Sequence, residues 1–175
     1  MQERKIIPNK ITIKSKPHGQ RNQLFVAIEH DSEKFSAFVT KDLCEIILGF
    51  LEKQEPIICD FEEGNLIRIK NGLEIETKNY ILDALPDFEG IPSVATFYST
   101  RLKKNFYSYI QVDKTCLVGF MSFEATKKVV SSILANSIIQ FKTEDDPRDN
   151  FRKLSQNFVP IDSDLKPAHI AYFVR

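Results

Sequence analysis

The chain has 175 residues, 42% of them hydrophobic, and 24 Lys and Arg balance 24 Asp and Glu. That composition is ordinary for a globular protein and fits one large domain or two small ones. A zero formal net charge excludes a global pull toward nucleic acid or membrane, and no apolar run approaches the roughly 18–20 residues that span a bilayer.

The balance hides an asymmetry. Residues 1–90 hold 12 basic and 16 acidic side chains, and residues 91–175 hold 12 and 8, so the halves are −4 and +4. Complementary halves favour head-to-tail self-association. The N-terminal MQERKIIPNK lacks the apolar core of a signal peptide. Cys44, Cys59 and Cys116 are odd in number and have no metal spacing. They read as core thiols in a reducing, cytoplasmic setting.

Taken in order, residues 1–22 carry six Lys or Arg and one Glu. Ile11–Lys16 alternates apolar and polar, as a half-buried edge strand does, and KPHGQRN is turn-like. Leu24–Glu29 reads as a strong strand, and Phe35–Val39 returns as the second arm of a hairpin. Thr40 stands where an N-cap belongs, with Asp42 suited to the helix dipole. Leu43, Ile46, Ile47, Phe50 and Leu51 then recur at helical spacing. Pro56 closes this helix. Strands follow at Ile57–Phe61, Leu66–Lys70 and Leu73–Thr77, with Asn71-Gly72 as a type I′ hairpin signal.

Residues 78–92 are less regular. Ser93–Ser99 and Phe106–Val112 read as a second hairpin turning at RLKKN, and Cys116–Met121 as a third strand. Ser122 caps a second helix with the stripe Thr126, Val129, Val130, Ile133 and Leu134, and Asn136 suits its C-terminal cap. Ile138–Lys142 is a strand. TEDDPRDNFRKLSQN reads as an exposed polar connection, and Phe158–Ile161 and Ala168–Val174 as two last strands.

An internal repeat emerges. LFVAIEHDSEKFSAFVTKDLCEIILGFLEKQEPIICDF aligns with FYSYIQVDKTCLVGFMSFEATKKVVSSILANSIIQFK. Each copy runs strand, turn, strand, capped helix, strand. The expectation is an α+β protein of two related β-α-β-β-β halves, 1–90 and 91–175, with helices on one face of antiparallel sheet.

No catalytic constellation is present: no Gly-rich phosphate loop, nucleophile elbow, Cys-x-x-Cys or His-Glu-x-x-His. His18, His30 and His169 are far apart in sequence. Glu144, Asp145, Asp146 and Asp149 could hold a hard cation, but their spacing matches no known loop and reads as a solvated acidic turn. The chain therefore reads as a non-enzyme without metal or cofactor. TFYSTRLKKNFYSYI (96–110) sets Arg101, Lys103 and Lys104 among Phe106, Tyr107 and Tyr109, a combination able to stack exposed bases. Period-2 alternation sends half of such rings into a core.

The stretch Val39–Pro92 resembles the middle domain of the bacterial sliding clamp, the β subunit of the replicative DNA polymerase. The family closes that domain with a pattern near Leu-(Ile/Val)-Asp-Gly-x-Phe-Pro-Asp-Tyr-x-x-x-(Ile/Leu)-Pro. This chain reads YILDALPDFEGIP, with Leu82, Asp83, Pro86, Asp87, Phe88, Ile91 and Pro92 in order. It departs at Ala84 and Leu85, is one residue shorter before Pro86, and has Glu89 and Gly90 where the family is often basic. LVGFMSFEATKKVVSSILANSIIQFK and the terminal AHIAYFVR are similar to the end of the clamp's last domain. The chain is about half the family's usual length, with two strong helices where two full clamp domains would supply four.

The resemblance implies a non-catalytic processivity factor, homo-oligomeric, with helices facing duplex DNA and sheets outside. Lys41, Lys53, Lys127 and Lys128 would then face DNA. Pro92, Phe97, Tyr172 and Val174 would line a groove for partner peptides from a polymerase or other replication protein. The alternatives are a sheet-based single-stranded nucleic-acid binder using 96–110, and a clamp-fold adaptor between proteins that does not encircle DNA.

Overall fold

The computed structural model describes residues 2–62, 65–70, 86–100, 105–154 and 161–162. The expected strand Leu73–Thr77, the Asn71-Gly72 turn, the turn at 101–104, the strand Ala168–Val174 and most of Phe158–Ile161 lie outside them. So do Leu82 and Asp83.

The described residues form an α+β fold with two helices and a large mixed sheet. In chain order the elements are β1 (Gln2–Ile6), β2 (Lys10–His18), β3 (Arg21–His30), β4 (Glu33–Val39), α1 (Lys41–Lys53), β5 (Ile57–Glu62), β6 (Asn65–Ile69), β7 (Phe88–Gly90), β8 (Pro92–Thr100), β9 (Asn105–Val112), β10 (Thr115–Met121), α2 (Phe123–Ala135), β11 (Ile139–Phe141), β12 (Thr143–Asp145), β13 (Phe151–Leu154) and β14 (Ile161–Asp162). Eleven strands make one sheet in the order β1-β5-β6-β4-β3-β2-β8-β9-β10-β13-β12, and β14-β11-β7 make a second. Most pairs are antiparallel; β4–β6 and β10–β13 are parallel.

The repeat is visible in the backbone. Thr40 and Ser122 cap the helices with φ of −71° and −70°, each side-chain oxygen accepting from the N–H three residues on. Such a cap contributes about 1 kcal/mol. Gln54 and Asn136 end the helices in the left-handed region, and Asp31 and Asp113 turn the hairpins there. These pairs are all 82 residues apart, and the four φ values lie between 51° and 54°. Helix α1 thus ends at Gln54, two residues before Pro56.

The halves meet at β2 and β8, which pair antiparallel with Thr12 opposite Thr96. Their hydroxyl oxygens lie 3.3 Å apart. The two helices pack against each other and over β2, β3 and β8. The reason is alternation. Ile11 and Ile13 of β2, Leu24, Val26 and Ile28 of β3, and Ala95 and Phe97 of β8 are all buried on one face, and each large one adds roughly 1.5–3 kcal/mol. Helix α1 meets them with Cys44, Ile47, Leu48, Phe50 and Leu51, and α2 with Val129, Val130 and Ile133.

Four sequence expectations change. Residues 11–16 form a central strand, because β2 pairs with β3 on one side and with β8 on the other, while β1 takes the edge beside β5. Charged Gln2–Lys5 had given no strand signal. The irregular stretch before Pro92 contains β7, which pairs with β11. The polar connection 143–154 contains β12 and β13, and β13 is held beside β10 by backbone pairing that its polar side chains do not announce. No helix of the described residues is long and apolar enough to cross a membrane.

Candidate DNA-facing, peptide-binding and base-stacking surfaces

The helix pair carries the four expected lysines. Lys41 and Lys53 sit at opposite ends of α1, about 18 Å apart at 1.5 Å per residue. Lys41 Nζ is 3.9 Å from Glu45 and Lys127 Nζ is 3.3 Å from Glu124. Glu45 and Lys127 are equivalent positions of the repeat, and the Lys127 charge is felt at Glu45 across the helix pair. Burial pushes the Glu45 carboxyl up, against the downward pull of Lys41 and Lys127. With Asp42, Glu45, Glu52 and Glu124 on the same helices, four lysines meet four carboxylates. The helix pair is therefore neutral in sum.

The expected peptide groove divides. Tyr172 and Val174 lie outside the described residues. Pro92 is buried at the start of β8. Phe97 is not a groove wall: it is 0% exposed, because beyond the register shift at Ser93 the alternation turns Ala95 and Phe97 under the helices. Its ring lies 5.8 Å from Phe106.

Phe106 is likewise turned into the core at 0% exposure and packs 6.1 Å from Phe123. It cannot stack on a base. Tyr107 and Tyr109, one position out of phase, reach the opposite face and are half-buried. They join Tyr98 and Phe120 in an edge-to-face chain, with centroids 6.0 Å (Tyr98–Tyr109), 5.4 Å (Tyr107–Tyr109) and 5.2 Å (Tyr107–Phe120) apart. Burial and hydrogen bonding with Tyr109 push the Tyr107 hydroxyl up. Arg101, Lys103 and Lys104 lie outside the described residues.

Beside these rings, Asp146 holds Arg148 with contacts of 3.0 and 3.1 Å, and the guanidinium rests 4.1 Å from the Phe151 ring centre. That pairing pulls the Asp146 carboxyl down to about 2. Asp87 of the clamp-like pattern has a structural job: its Oδ1 accepts from the Thr143 N–H at 2.8 Å and the Thr143 hydroxyl at 3.1 Å. This tie falls at the break between β11 and β12, where the first half runs unbroken through β5.

The local sequence does not single out Phe25 and Phe38, whose rings lie 5.2 Å apart at an interplanar angle of 67°. Tyr107 and Phe120, each 82 residues later, have the same 5.2 Å spacing at 65°. The available signal was phase: with Leu24, Val26 and Ile28 inward, Phe25 must face out.

No protein-family model matches the chain, and neither a curated protein nor a solved structure emerges as similar to it.

Proposed function

We propose that this chain is a sliding-clamp-like accessory protein of DNA replication, acting without catalysis by placing its helix pair against duplex DNA and its sheet outside. The observation that carries this reading is the duplication itself. Two capped helices, equivalent under the repeat, lie together on one face of a sheet continuous through β2 and β8. Two helices are what the resemblance assigns to a single clamp domain, so the two halves together make up one such domain rather than two.

Among the described residues the sheet ends at β1 and β12. The first carries Glu3, Arg4 and Lys5, net +1, and the second Glu144 and Asp145, net −2. Opposite charge at opposite edges supports head-to-tail addition of copies, which closes a ring when the rotation permits. A helix surface of balanced charge holds a duplex loosely, since affinity for DNA follows the number of phosphates neutralised. That suits retention by encirclement rather than by tight contact. The same neutrality also favours the reading of an adaptor that keeps the fold and docks partner peptides without DNA.

Absolute molar mass by light scattering over a range of concentration tests the reading, followed by retention on circular and linear DNA. A discrete closed oligomer retained on circular but not linear DNA is expected. A strict monomer at every concentration overturns the self-assembled ring. A closed oligomer that ignores circular DNA leaves the adaptor.

A further inference from the structure

The sheet face opposite the helices differs in charge from the helix face. On β2, Lys10, Thr12, Lys14 and Lys16 point outward because Ile11 and Ile13 point in. Lys34 of β4 shares this face by register. Against these four lysines, the outward positions of β4, β3, β2, β8, β9 and β10 hold one carboxylate, Glu29, which pairs with Lys10 at 3.1 Å. Lys14 and Lys16 make no ion pair among the described residues. Their ammonium groups stand 5.7 Å and 3.9 Å from the centre of the Phe25 ring.

The outward face thus has two ring groups. Phe25 and Phe38 lie on β3 and β4; Tyr98, Tyr107, Tyr109 and Phe120 lie on β8, β9 and β10. All six are half-buried residues rather than members of the closed core. Between them runs a row of short side chains, Ser36, Ala27, Thr12 and Thr96, in direct register across four strands. A low floor between rings, with unpaired cations along one strand, fits a chain that has both phosphates and unstacked bases.

We propose that this outward face binds single-stranded nucleic acid, with Lys14 and Lys16 neutralising phosphates and Phe25, Phe38, Tyr98 and Tyr109 taking bases. A single strand is favoured over a duplex because a duplex keeps its base faces stacked, leaving the rings nothing to meet. The inference stands apart from the clamp reading, which uses the other face.

The test is fluorescence anisotropy of a labelled oligothymidylate with the full chain, from 50 to 200 mM salt. Binding that weakens with salt is expected. The double variant Lys14→Glu with Lys16→Glu should weaken it at least tenfold. It should also reduce the slope of log K against log salt by about 1.4, since each single-strand phosphate contributes about 0.7. Tyr109→Ala should weaken binding with the slope unchanged. Lys114→Glu, in the exposed turn between β9 and β10, should leave it unaltered. Absence of binding at 50 mM salt overturns the proposal. So does equal competition for the bound oligothymidylate by an unlabelled duplex of the same length, or loss of binding in the Lys114 variant alone. The lysines are on the solvent side, and a thermal melt of each variant separates lost binding from lost fold.

Discussion

The two halves share a skeleton but fill it differently. In the first, α1 brings Phe50, and the strands bring Ile13, Leu24 and Cys59. In the second, the matching helix position is Ser132, and the matching strand positions are Phe97, Phe106 and Phe141. Where the helix side chain is small the strand rings are large. Both arrangements leave these positions at 0% exposure. What the chain conserves between halves is therefore summed volume and backbone geometry rather than residue identity, as close packing requires.

The largest test of this comparison removes a ring. Phe106→Ala should cost about 3–5 kcal/mol in urea unfolding, and Leu24→Ala, at the equivalent site, about 2–4 kcal/mol. A larger loss at Leu24 would break the view that strand rings carry the second half. Next comes Gly90, which stands where the first half has Ile6. An added methyl at Gly90 would lie 2.3 Å from Val112 Cγ1, so Gly90→Ala should destabilise by about 1–3 kcal/mol. An unchanged denaturation midpoint would show that β7 shifts freely.

The caps should behave alike. Thr40→Ala and Ser122→Ala should each cost about 1 kcal/mol; a twofold disparity would mean that one helix start is held by other contacts. Smaller effects come from charge. Asp146 titrates in the fold at about 2, below its ordinary value near 3.9. Its contribution is full above about pH 4 and is lost as pH falls toward 2. Thermal melts should show Asp146→Asn flattening that acid limb. Because Arg148 is exposed, the effect is modest. Glu45 has the opposite sign. Burial raises its carboxyl, so stability is lost as pH rises through the folded value. Glu45→Gln should raise Tm slightly at pH 7, whereas a fall would mean that Lys41 and Lys127 outweigh burial.

Much of this was legible beforehand because it is local. Thr40 and Ser122 announced the helix starts through capping chemistry, and Asn136 announced an end. Period-2 alternation located β2, β3, β4, β8, β9 and β10, and the alignment of the halves predicted the shared run of strand, strand, helix and strand; the β-α-β-β-β order expected for each half is not found, since four strands precede each helix. The candidate surfaces were legible only in part. The sequence placed rings and cations together at 96–110, but phase relative to the core sends Phe97 and Phe106 inward and Tyr107 and Tyr109 outward. Lys14, Lys16 and Phe25 form no group in the sequence, being separated along the chain and joined only by the β2–β3 register.

Local patterns of polarity and capping thus determined which segments become helices and strands, and that the chain is two copies of one plan. Tertiary structure decided what pairs with what. It made β2 central, placed charged β1 and polar β12 at the edges, recruited β7 and β13, and joined the halves through Thr12 and Thr96. Those outcomes depend on backbone hydrogen bonds between distant segments, which any sequence can make and no side-chain pattern encodes.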